Sequence, residues 1–176
     1  MKISHLLLAV TVTATVITGC SVKKSIKHGH LITTYYNGTD SLLYLVSGLE
    51  FLPVSKKKSP HPFYADITYQ YAGGKPDSAV FNFTFISPDK NFRIKSVKIE
   101  PVNYFSSSIA RFFVQPYKNG FFKQRYSFKM SEKTFNQMLA DSESLKLIFN
   151  DSFEYVPSKR FHKQADYCLT QLMFNE

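Results

Sequence analysis

The groups able to do chemistry in this chain of 176 residues are few and thinly spread. Only two cysteines occur, Cys20 and Cys168. Phe161, Ala165, Cys168, Leu169 and Leu172 follow the i, i+4, i+7, i+8, i+11 spacing of one helical face. A thiol in that stripe acts as a small apolar filler, since nothing nearby would lower its pKa. His28 and His30 flank Gly29 on one side of an extended segment, and His61 is a third imidazole. A metal site needs further ligands and a rigid outer shell, which a polar linker does not supply, so no metal is expected. Among carboxylates, Asp66 and Glu100 come nearest to a pair, but nothing in their spacing brings them together for acid–base work. The run Ser106-Ser107-Ser108 has no base in view. Nucleophile elbow, P-loop, dinucleotide fingerprint, H-E-x-x-H and paired C-x-x-C motifs are all missing. The expectation is a protein without a catalytic constellation or a cofactor.

Aromatic side chains offer the other lead. Tyr35, Tyr36 and Tyr64, with Tyr69 and Tyr71 beyond them, could present flat rings to a glycan or a protein, because tyrosine joins an apolar face to a polar tip. There is no tryptophan, the residue most expected on a sugar-stacking platform, and most of the 17 Phe and 11 Tyr should be core. Tyr35, Tyr36 and Tyr64 therefore stand as the candidate ligand-facing aromatics.

The N-terminus carries a sharper pattern. Met1-Lys2 supplies positive charge and Leu6–Ile17 is apolar. A run of that length fits a secretory signal, about 7–15 apolar residues, and falls short of the roughly 20 that span a bilayer. Ile17-Thr18-Gly19-Cys20 resembles the lipobox of bacterial lipoproteins, with Ile17 in the place of the usual leucine. The resemblance implies cleavage before Cys20 and lipid on that cysteine, with residues 1–19 as signal peptide; residues 20–30, polar and without a sustained period, read as a tether, and 31–176 as one domain. Ser21 after the cysteine, where an aspartate resembles an inner-membrane retention signal, points to the outer membrane. Two or more acyl chains give stable attachment at about 0.8 kcal/mol per buried CH₂.

Loss of residues 1–19 would leave 157 residues, enough for one domain, and with only Lys2 gone from 22 basic against 13 acidic residues, a formal charge of +8. A basic balance suits nucleic acid, an anionic membrane or an acidic partner. Export makes nucleic acid the poorest of these. Lys23, Lys24 and Lys27 would lie beside the lipid, while Lys56-Lys57-Lys58 reads as a solvated loop. With Cys20 lipidated, Cys168 has no disulfide partner, and stability must come from the core. The expected partners are a membrane through Cys20 and a protein of the envelope, with a glycan as the alternative.

The elements that would position these groups are mostly strands. Leu31–Tyr36 and Leu42–Val46 flank Asn37-Gly38, a strong hairpin signal, and Leu49–Val54 extends or follows them. Phe63–Tyr71 and Phe81–Phe85 alternate apolar with polar residues; a one-residue slip would put Phe81, Phe83 and Phe85 in water. Phe92–Glu100 reads as another strand, and Pro101–Ile109 is ambiguous. Arg111–Gln115 and Phe121–Met130 form a hairpin closed by residues 116–120, and Leu145–Phe149 with Phe153–Val156 a second one around Asn150-Asp151-Ser152. Ser131 caps a short helix over about 131–140, and Pro157-Ser158 opens a terminal helix over about 158–173. The fold expected is mainly β, an antiparallel sandwich or barrel-like sheet, with neighbouring strands paired in order and two helices covering an edge or open end. The tail, short helix then hairpin then terminal helix, resembles uncharacterised small β-rich envelope lipoproteins, a likeness that names no activity.

Overall fold

Two-residue alternation builds the sheet, and non-local pairings close it. The computed structural model describes residues 22–24, 32–36, 41–56, 61–72 and 75–173. Among the described residues, eleven strands form one sheet in which every pairing is antiparallel. A three-strand run comes first: β3 (Ser41–Pro53), β4 (Phe63–Ala72) and β5 (Lys75–Ser87) pair in chain order. The two segments expected within 42–54 are one strand, because a bulge after Val46 restores the inward phase of Leu49 and Phe51. Gly48 takes φ +75° in that bulge, a backbone setting in which other residues pay a steric penalty.

The remaining partners are not chain neighbours. β5 pairs along its length with β9 (Phe122–Ser131), whose other edge holds β8 (Ala110–Pro116). On the far side, β3 pairs with β11 (Phe153–Pro157), then come β10 (Lys146–Phe149), β6 (Val97–Glu100) and β7 (Tyr104–Ser106). The default of pairing in chain order thus fails at three places, β5 with β9, β11 with β3 and β10 with β6. β2 (Ile32–Tyr36) pairs with the first half of β3, and β1 (Val22–Lys24) with β2. Val22–Lys24, assigned by composition to a polar tether, thereby belong to the sheet; ladder hydrogen bonds join backbones and need no apolar alternation.

The sheet curls until its ends approach, and of the two architectures expected it takes the barrel-like one. Phe83 of β5 stacks on Phe149 of β10 at 4.8 Å, although β4, β3 and β11 lie between them in the sheet. β9 outruns β8, whose pairing stops at Ser127. Just beyond, the Tyr104 hydroxyl of β7 donates to the Lys129 carbonyl, and its ring stacks on Phe128 at 6.0 Å. One side-chain contact thus stands where a closed barrel would have a ladder.

Residues 92–96 are not strand, contrary to the reading of Phe92–Glu100, of which only β6 is regular. Side chains satisfy much of this backbone instead. Tyr126 accepts from Ile94 N–H (3.3 Å) and donates towards Phe92 O (3.1 Å). Asn150 Oδ1 accepts from Lys95 and Ser96 N–H (2.7 and 3.2 Å), and its amide donates to Arg93 O (2.8 Å).

Two helices complete the apolar filling. Ser131 Oγ accepts from Thr134 N–H at 3.1 Å and starts α1 (Glu132–Ala140). Ser158 Oγ accepts from Arg160 and Phe161 N–H, each at 3.2 Å, and starts α2 (Lys159–Met173); each cap contributes about 1 kcal/mol. Phe135, Met138 and Leu139 of α1 join Phe161, Ala165 and Cys168 of α2 in the same buried cluster as the concave face of the sheet. Phe161 meets Phe51 at 4.9 Å and Phe135 meets Tyr69 at 5.9 Å. Leu169 is half-buried, and the side chain of Leu172 lies outside the described part.

Candidate functional site

Alternation that sends Phe63, Phe83 and Tyr126 inward sends Tyr64, Asp66, Thr84, Lys123 and Arg125 to the convex face. There they line a trough of about 480 Å³ across β4, β5 and β9, a size usual for ligand pockets. Thr84 and Ile86 of β5 form its floor. His61 and Pro62, ahead of β4, close one end against the β8–β9 connection, where the His61 ring stands edge-on to Phe121 at 5.0 Å. Tyr117 completes that end; a 3₁₀ turn, Lys118–Gly120, follows it with Asn119 and Gly120 at positive φ.

The charges divide into one spent pair and one loose cation. Arg125 Nη2 bonds Asp66 Oδ2 at 2.6 Å, and its Nη1 donates to Thr84 Oγ1 at 3.1 Å. The other Asp66 oxygen accepts the Gly48 N–H at 3.2 Å, so the β3 bulge pins the carboxylate that pins the arginine. Asp66 is the lone carboxylate among the described residues of the lining. Lys123 Nζ rests 4.4 Å above the Tyr117 ring, a cation–π contact, with no carboxylate partner among the described residues. His61 Nε2 is shielded from solvent and has no hydrogen-bond partner among the described residues. Tyr64 is 49% exposed and its hydroxyl donates to Glu50 at 3.0 Å. That bond to a carboxylate, then the Glu50 charge itself, raises the Tyr64 pKa.

An aromatic margin adjoins the trough. Phe113 lies opposite Arg125 in the β8–β9 register and so shares its face. Phe112, in the bulge of β8, is 64% exposed and Phe113 45%.

Of the aromatics singled out in the sequence, Tyr64 lines the trough. Tyr35 and Tyr36 lie in β2, in register with Leu43 and Leu42, and their side chains are outside the described part. Ile17, Thr18, Gly19 and Cys20, and likewise His28 and His30, also lie outside the described residues. Asp66 and Glu100 do not meet: Glu100 pairs with Lys98 at 2.6 Å on β6, while Asp66 is held by Arg125. Ser106–Ser108 lie at the end of β7 and in the loop after it. No group of three or more metal-ligating side chains gathers among the described residues, and none of their helices is long and apolar enough to cross a membrane. Burial pushes the Cys168 thiol up to about 12.

Tyr117, Lys123 and Arg125 carry the site and were missed in the sequence. Their one local signal is that Lys123 and Arg125 stand on the polar face of an alternating strand. A second hollow, about 490 Å³ along α1 beside Leu169, has its carboxylate Glu132 already bonded by Tyr69 at 2.9 Å. The chain matches no known protein family, no curated protein and no solved structure. Its chemistry must be argued from its own residues.

Proposed function

We propose that this chain is an envelope lipoprotein, cut before Cys20, lipidated there and lodged in the outer membrane, that acts without catalysis by holding a protein partner on its convex face. The trough carries this reading: it concentrates polar side chains in one concavity, beside exposed Phe112 and Phe113. The Asp66 carboxylate has both oxygens committed to hydrogen bonds, which suits a structural pin better than a general base.

The position of the anchor supports the same reading. Val22 pairs with Tyr35, Tyr35 with Leu43, and Leu43 with Gln70 near the end of β4. Tyr64 at the start of β4 is therefore about 20 Å away along the strands, at about 3.4 Å per residue. Cys20 precedes β1 by two residues, a reach of about 7 Å. Lipid there would hold the β1 end against the membrane and turn the trough away from it, towards a partner.

The test has two parts. Cys20→Ser should abolish lipid labelling and move the protein out of the membrane fraction; persistent labelling would defeat the lipoprotein assignment. Crosslinking in intact envelopes should then recover one protein reproducibly from the wild type and lose it from Phe113→Asp. Recovery unaffected by that change would place the partner elsewhere. A glycan ligand is the second reading, favoured by the Tyr64 and Tyr117 rings at the trough. Glycan binding abolished by Tyr64→Ala would establish it over the first.

A further inference from the structure

The trough has a charge signature that narrows what can enter it. Among the described residues, two cations, Lys123 and Arg125, line it against one carboxylate, Asp66, and the Asp66–Arg125 contact cancels one of them. The surplus is Lys123. Its ammonium is steered by the Tyr117 ring rather than by an anion, which leaves its N–H donors directed at the cavity or at water. His61 lines the same space, but its Nε2 is hidden from solvent, so the ring forms part of the wall and not a donor within a ligand's reach. Arg125 is too tightly held by Thr84 and Asp66 to swing towards a ligand, and so serves as a fixed positive wall. Partial enclosure lowers the local dielectric and strengthens attraction for a bound anion relative to an open surface.

We propose that the trough is an oxyanion site, in which Lys123 Nζ binds a carboxylate or phosphate group of the ligand beside the fixed charge of Arg125, while Ile86 and Pro62 contact its apolar body. The proposal rests on the trough being the docking site, and it names the chemistry that docking requires. An acidic protein side chain and a phosphoryl group share that chemistry.

Two-dimensional NMR of the purified protein, titrated with acetate, inorganic phosphate and neutral acetamide at matched ionic strength, tests it. Acetate or phosphate should shift the His61, Lys123 and Thr84 resonances saturably, and acetamide should not. Stronger acetate binding points to a carboxylate ligand, and stronger phosphate binding to a phosphoryl one. Lys123→Met keeps the stem on Tyr117 and should weaken binding about tenfold, the loss of one charge-assisted hydrogen bond. Lys123→Arg should retain most of it. His61→Phe keeps the packing on Phe121 and should leave binding nearly unchanged. Equal response to acetamide, no saturable shift with either anion, or binding indifferent to Lys123→Met would overturn the proposal. Because no partner or membrane enters this experiment, anion binding can stand while the crosslinking result fails, and the reverse.

Discussion

Phe83 is the side chain whose loss should cost the fold most. It is fully buried, and its ring lies within 6.2 Å, centroid to centroid, of Phe63, Phe81, Tyr126, Phe128 and Phe149. Four of these belong to β4, β5 and β9, whereas Phe149 comes from the opposite wall on β10, so the ring helps hold the curl together. Phe83→Ala removes about 1.5–3 kcal/mol of burial. Ring contacts worth about 0.5–1.5 kcal/mol a pair add to this without summing. The cavity would be walled by rigid aromatic rings on five sides and could collapse little, which places the total at about 4 kcal/mol. Urea denaturation of the purified protein, read by far-UV circular dichroism, measures it. Phe83→Leu should cost clearly less, and Phe113→Ala, on an exposed edge, within about 0.5 kcal/mol. A loss under about 1 kcal/mol for Phe83→Ala, or one equal to that of Phe113→Ala, would refute an aromatic core bridging the two walls.

Two further outcomes follow from buried polar atoms. Tyr126→Phe should destabilise by about 1–3 kcal/mol, since it strips Ile94 N–H of its acceptor and Gln124 Oε1 of a partner at 2.6 Å; faster amide exchange at Ile94 would locate the effect, and unchanged exchange would contradict it. Cys168 should resist thiol reagents until the protein unfolds, its thiol being pushed up to about 12 by burial. Its folded pKa lies above the unfolded value of 9.0, so the associated stability is intact below pH 9 and falls as pH rises towards 12. Denaturation midpoints of wild type and Cys168→Ala, compared across that window, should converge as pH rises.

The polypeptide's local pattern determined which residues face inward and where the elements begin. Alternation through Phe81, Phe83 and Phe85, hydroxyl caps at Ser131 and Ser158, and the turn at Asn150–Ser152 each depend on neighbours a few residues apart. The helical stripe likewise placed Cys168 in the core. The same pattern stretched Phe92–Glu100 into a strand, since nothing local shows that Tyr126 and Asn150 will satisfy the backbone at 92–96. Composition also hid β1, because ladder bonds are blind to side chains.

Tertiary structure alone chose the strand partners. An alternating strand pairs about equally well with many others, and only burial of the whole aromatic set selects β5 with β9, β11 with β3 and β10 with β6. The trough depends on that choice: His61, Asp66, Thr84, Lys123 and Arg125 span more than sixty positions of the chain and meet because β4, β5 and β9 lie side by side. Spacing along a sequence can announce Cys20 and its flanking residues as a contiguous motif. It cannot announce a site whose groups become neighbours only when the sheet curls.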